Sequence, residues 1–226
     1  MSVASSPEYR LRVEYAKQGR GAYLSHLEVI RALERIVRRA DLPYASTQGF
    51  SPHMKIAFGP ALGVGTASLS EQFDVTLSDY LDADEAMECL RAAAPQVLPI
   101  IRCGYVSPKE PSLSASVNIL KYQVIIDGDV AVKTESPPSI EVQQKGKTKT
   151  YDALVSLPEG VSVMHTPGVA ILNFTVRATP QGTLRPDSLV AYLVGQDAEA
   201  DLTVSVLRTA TLIEEGDGTW RDPLAR

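Results

Sequence analysis

The chain has 226 residues, 44% of them apolar and 22% charged, with a net charge of −5. It is long enough to bury a core without staples, and its two cysteines, Cys89 and Cys103, offer neither a disulfide framework nor a Cys-rich metal site and suit a reducing cytoplasm. No apolar run reaches membrane-spanning length. The first ten residues lack the basic and apolar regions of a signal peptide.

Charge is uneven. Residues 1–60 carry nine Lys/Arg against five Asp/Glu, and the remainder thirteen against twenty-two. That argues against a protein that coats nucleic acid non-specifically, and no DNA is expected, yet it leaves room for a local anion-binding face.

Residues 9–16 alternate, with Tyr9, Leu11, Val13 and Tyr15 on one side and Arg10, Arg12 and Glu14 on the other, which predicts a strand with one buried face. Ser25-His26-Leu27-Glu28 is a capping box that opens a helix. Leu27, Ile30, Leu33 and Val37 supply its apolar stripe, and Pro43 lies beyond its end. A loop over 44–53 leads to strands at Met54–Phe58 and Phe73–Leu77. An acidic first turn at Asp82–Glu85 opens a second helix, and Val97–Val106 is the next strand. This order, strand, helix, strand, strand, helix, strand, is that of a ferredoxin-like split βαβ unit.

Residues 107–116, with Pro108 and Pro111, form a linker. Strands then follow at Val117–Ile126, Ile140–Gln144 and Lys149–Leu154, the latter two around the turn Lys145-Gly146-Lys147, and at Val161–His165 and Val169–Arg177. The stretch 127–138 is short and Pro-rich, with little room for a helix. Pro186 opens a helix that Gly195 stops, and Leu202–Ile213 closes the set. The fold class expected is α+β: two ferredoxin-like subdomains, 9–106 and 117–213, the second degenerate and strand-rich. A loosely held tail over 214–226 is expected.

The stretch Tyr23–Gly65 carries the most unusual residues. Leu24-Ser25-His26-Leu27-Glu28, Arg38-Arg39-Ala40, Leu42-Pro43 and Gln48-Gly49-Phe50-Ser51-Pro52-His53 closely resemble the N-terminal signature of an uncharacterised bacterial family, the radical SAM-linked domain of unknown function. Glu28 and Ser51 stand where that family usually has Asp and Asn, and both swaps keep an oxygen acceptor. Lys145-Gly146-Lys147 with Asp152, and Leu184-Arg185-Pro186, are weaker echoes. The resemblance covers most of residues 9–213. It implies a partner, since members are fused to or travel with a cobalamin-binding radical SAM protein; it implies no established activity.

Read from the residues, Ser25 and Glu28 are a helix cap. His26 either donates to a loop carbonyl or lines a site. Arg31, Arg35 and Arg38, with Arg39 beside them, are either a solvated face partnered by Glu28 and Glu34 or a binding face for phosphate oxygens. Gln48, Phe50, Ser51, His53 and Lys55 belong either to a loop packed by Phe50 or to a rigid recognition loop shaped by Gly49 and Pro52. A metal site on His26 and His53 lacks an evident third ligand. No three-cysteine motif exists to hold an iron–sulfur cluster, and no nucleotide-binding glycine loop is present, so neither metal nor cofactor is expected. His26 and the loop Gln48–Lys55 are expected to line one cleft, with Arg31 or Arg35 on its wall. Two functions follow: a binding module that presents RNA, a ribosomal component or another ribonucleoprotein substrate to a radical SAM partner, or a small RNA-processing or small-molecule enzyme with His26 and His53 as acid and base.

Overall fold

A computed structural model describes residues 8–133, 138–144, 146–179, 182–195 and 202–225. The first seven residues, part of the Pro-rich stretch 127–138, and Lys145 in the turn Lys145-Gly146-Lys147 lie outside the described residues. The protein is mixed α/β and strand-rich. It divides into two compact units, Met1–Val117 with Arg221–Arg226, and Asn118–Trp220.

The first unit runs β1 (Tyr9–Lys17), a 3₁₀ turn (Gly19–Tyr23), α1 (His26–Arg39), β2 (Ile56–Phe58), β3 (Thr66–Leu77), α2 (Ala83–Ala93), β4 (Ile100–Tyr105) and the single turn α3 (Leu113–Ser116). Its strands lie in the order β4-β1-β3-β2, each neighbouring pair antiparallel. Leu11 opposite Val75 and Val13 opposite Phe73 point to one face, where Val29, Leu33, Ile36 and Val37 of α1 and Ala86, Met87 and Leu90 of α2 close the core.

The expected apolar stripe of α1 is rotated. Leu27 is 54% exposed, and the buried positions are Val29, Leu33, Ile36, Val37 and Ala40. Both sets fit a 3.6-residue period through Leu33 and Val37, so periodicity alone does not separate them; packing against the sheet does.

The other face of β1 is buried as well, against the expectation of a strand with one buried side. Arg12 is 0% and Glu14 5% exposed. Arg12 spans Asp74 with Nε to Oδ1 at 2.7 Å and Nη2 to Oδ2 at 3.0 Å, and its Nη1 donates to the Pro223 carbonyl at 2.8 Å. Arg10 donates to Asp74 Oδ2 at 2.7 Å. A charge this deep is tolerated because Nε, Nη1 and Nη2 each donate to an oxygen. Arg102 likewise pairs with Glu14 and Asp222.

These contacts also correct the loosely held tail. Residues 221–224 lie on the polar face of β1 and β4, where Arg221 reaches Glu110 at 3.0 Å. Within the expected linker, α3 anchors Leu113 at 0% exposure. β3 begins seven residues before the expected Phe73. Its first half, Thr66–Gln72, is polar in sequence yet holds Ser68, Glu71 and Gln72 buried, so hydrophobic alternation gives no sign of it.

The second unit runs β5 (Val117–Asp127), β6 (Ser139–Gln144), β7 (Lys147–Asp152), the single turn α4 (Ala153–Ser156), β8 (Val161–Thr166), β9 (Val169–Arg177), α5 (Pro186–Val194) and β10 (Thr203–Glu214). Its strands lie in the order β10-β5-β9-β8, while β6 and β7 form a separate hairpin. Leu120 opposite Val176, Tyr122 opposite Phe174 and Val124 opposite Leu172 form the buried face. The Tyr122 and Phe174 rings stack at 5.6 Å, and the Arg208 guanidinium donates to the Tyr122 hydroxyl at 2.9 Å. Trp220 donates to Glu214 at 3.3 Å and lies under the Lys121 ammonium at 5.0 Å. Among the described residues no helix is long and apolar enough to cross a membrane.

Candidate functional site

The site begins at the N-terminus of α1. Ser25 Oγ accepts from Glu28 N at 3.4 Å, while the Glu28 carboxylate accepts from Ser25 N at 2.8 Å and from its hydroxyl at 2.7 Å. The capping box is therefore closed in both directions. These bonds, from the Ser25 hydroxyl first and then its N–H, hold the Glu28 carboxyl below the usual carboxylate range, with Arg31 adding to the effect. The positive end of the helix already has its anion, supplied by the chain itself.

His26, one position into the helix, stands edge-on to Phe58 with ring centres 6.3 Å apart. Together they border a small pocket with Tyr15, Lys17, Pro60 and Glu71. Its volume of about 10 Å³ leaves room for a single water. Lys17 is 1% exposed and donates to the Gly63 carbonyl at 3.3 Å, tying the Gly59–Gly65 segment to β1. No residue from Gln48 to Lys55 lines this pocket.

The Gln48–Lys55 segment is the outer part of a projecting loop with a pinned base. Ala45 N donates to Thr76 O at 2.8 Å, Lys55 N to Ala45 O at 2.8 Å, and Thr76 N to Lys55 O at 2.9 Å. One step further out, Thr47 N donates to His53 O at 2.8 Å and His53 N to Thr47 Oγ1 at 3.0 Å. Met54, 6% exposed, plugs the base into the core. The tip turns at Gly49, whose φ of +132° suits glycine. Gln48, Ser51 and His53 are exposed, and Phe50 is fully so at 111%. Phe50 thus does not pack the loop; hydrogen bonds and Met54 order it instead.

The base meets the sheet beside the C-terminal end of α1, where Ser78 N donates to Pro43 O at 2.7 Å. His26 and Phe58 lie at the helix start. Lys55 is paired with Glu8, so its charge is partly answered within the chain. Arg31, Arg35, Arg38 and Arg39 are exposed along α1, and Arg38 meets Glu34 at 3.6 Å, a pair worth little at the surface. Among the described residues no group of three His, Cys, Asp or Glu converges as a metal site. The Cys103 thiol is pushed up to about 11 by burial and by Asp84, which leaves it protonated and a poor nucleophile at neutral pH.

Two groupings escaped sequence reasoning. Lys17 and Glu71 border the His26 pocket from strands that alternation describes as ordinary or does not find. Tyr9, Tyr80 and Tyr105 cluster from the ends of three separate segments, a proximity no spacing rule signals.

A sequence-family profile described as an uncharacterized protein conserved in bacteria (DUF2344) matches residues 10–186. The chain belongs to this family. The DUF2344 match takes in β1 through β9 and ends at the first residue of α5, so it spans both His26 and the projecting loop. No curated protein matches the chain. A solved structure of an unknown protein from Galdieria sulphuraria aligns over 90% of this chain and 100% of its own at 10% identity, with a TM-score of 0.28, a similarity too low to bear on fold or function.

Proposed function

We propose that this DUF2344 protein is a binding module that presents RNA or a ribonucleoprotein substrate to a radical SAM partner in the bacterial cytoplasm. The observation that carries the reading is Phe50, a ring with full solvent exposure on a loop whose base is hydrogen-bonded and plugged. A solvent-exposed aromatic offers a face on which a base can stack. Exposed Arg31, Arg35 and Arg38 add forks suited to phosphate oxygens, and Gln48, Ser51 and His53 add donors beside the ring. The partner comes from the family resemblance of the Ser25–Glu28 and Gln48–His53 motifs. The unpaired thiols Cys89 and Cys103 suit the cytoplasm. We read both units as ferredoxin-like, a fold supported by strand orders β4-β1-β3-β2 and β10-β5-β9-β8 and itself common among RNA binders.

The reading is tested by fluorescence anisotropy with a labelled single-stranded RNA of mixed sequence at low salt. Phe50→Ala is expected to weaken binding roughly tenfold with an unchanged melting midpoint. Arg31→Glu with Arg35→Glu is expected to flatten the salt dependence. Absence of RNA binding by the intact chain, or binding by both variants equal to that of the intact chain, overturns it.

A second reading, an acid–base enzyme, has one observation in its favour: His26 borders a pocket with Lys17 and Glu71. His53 does not line that pocket, so the geometry supports His26 alone rather than a His26–His53 pair.

A further inference from the structure

Tyr9 opens β1, Tyr105 closes β4, and Tyr80 follows β3. The antiparallel register brings them together, since Tyr9 faces Leu77 and Leu11 faces Tyr105. Tyr80 stacks on Tyr105 at 5.3 Å and 26°, and Tyr9 meets Tyr80 edge-on at 5.5 Å. The assembly is anchored: the Tyr105 hydroxyl donates to the Leu81 carbonyl at 2.6 Å. Even so Tyr80 remains 61% exposed. A ring fixed from one side and open on the other is a platform for a ligand that favours a π face.

The charges around it select the ligand. Asp79, Asp82, Asp84 and Glu85 follow one another along this segment and are all exposed. Asp79 and Asp82 are anchored, accepting from the Ser78 hydroxyl and the Asp84 N–H at 2.9 Å each. No Lys or Arg occurs between Lys55 and Arg91. Lys55 is paired with Glu8, and Arg10, on the opposite face of β1, with Asp74. A phosphate-bearing ligand is repelled here. A cation gains both the ring quadrupole and the carboxylates.

We propose that Tyr9, Tyr80 and Tyr105, rimmed by Asp79 and Asp82, are a docking site for an arginine or lysine side chain on a basic segment of a protein partner. The site uses none of the Gln48–Lys55 residues and goes beyond the RNA reading, because it recruits a protein through its cations.

The test titrates the full chain with a capped tetra-arginine peptide at low salt, followed by calorimetry and by the ring-proton resonances of the tyrosines. Tyr80 and Tyr105 resonances are expected to shift. Tyr80→Ala is expected to weaken binding about tenfold, within the range of a desolvated cation–π contact, while Tyr80→Phe stays within about twofold because it keeps the π face. RNA binding by the Tyr80→Ala chain is expected to be unchanged, which separates this site from the Phe50 loop. The proposal is overturned by an absence of tetra-arginine binding, or by equal affinity of the Tyr80→Ala chain, which assigns binding to diffuse acidity. It is equally overturned if a uridine oligonucleotide shifts Tyr80 and tetra-arginine does not, because the platform then takes a nucleobase.

Discussion

The two units lay their strands in the same order, β4-β1-β3-β2 in one and β10-β5-β9-β8 in the other, but build the connection after the first strand differently. In the first unit it is α1, a fourteen-residue helix with a closed capping box. In the second it is the β6–β7 hairpin and the four-residue α4, on which Leu154 is 79% exposed. A four-residue turn has too few internal hydrogen bonds to persist alone, so α4 depends on its surroundings: Asp152 accepts from Val155 N at 3.0 Å, and Arg177 donates to the Val155 carbonyl at 3.1 Å. The same strand order thus occurs once with a helix in this connection and once with a hairpin. The candidate RNA-binding features, Phe50 and the α1 arginines, belong to the unit whose connection is the helix.

The units also differ in how they bury an arginine, and this gives the largest expected effect. Asp74→Ala leaves Arg12 buried without its bidentate partner and is expected to cost about 3–5 kcal/mol, read as a fall in the denaturant midpoint. Tyr122→Phe in the second unit keeps the ring stacked on Phe174 and removes only the hydroxyl that Arg208 meets, for about 1 kcal/mol. Equal costs would erase the contrast.

Helix content is tested next. Leu33→Ala, at 0% exposure in α1, is expected to cost about 3 kcal/mol. Its counterpart Leu154→Ala in α4 is expected to stay within about 0.5 kcal/mol. Thermal or chemical unfolding of the two variants checks the ratio.

Ser25→Ala is expected to cost about 1 kcal/mol. It also sharpens the pH dependence of α1. The Glu28 carboxyl titrates lower in the folded chain than its ordinary value of 4.5, so the folded state binds fewer protons than the unfolded one in that window. The stabilisation is present above the ordinary carboxylate range and is lost as pH falls through the lowered value. The protection factor of the Glu28 amide, taken against its intrinsic exchange rate at each pH, is expected to fall on acidification in the native chain, and to fall less in Ser25→Ala. An identical acid response in both chains would sink the assignment to the capping box.

The sequence by itself determined the elements whose cause is local. Ser25 and Glu28 sit three residues apart, so the box and the helix start at His26 follow from spacing alone. Gly49 in the Gln48–His53 stretch marks a turn, and the alternating apolar rows of β5 and β9 show as period-two patterns. Only the tertiary structure decided what depends on partners distant in the chain. Arg12 reads as a solvent-facing residue until Asp74 and Pro223 cover it. Thr66–Gln72 reads as a loop because its polar side chains are satisfied by neighbours that no local pattern reveals. Leu27 and Val29 are equally apolar letters, and the sheet selects which face of α1 is buried. The pocket beside His26 and the three-tyrosine platform arise in the same way, from strand register that brings together residues as far apart as Tyr9 and Tyr105, because side-chain chemistry is written locally while burial and proximity are set by the packed fold.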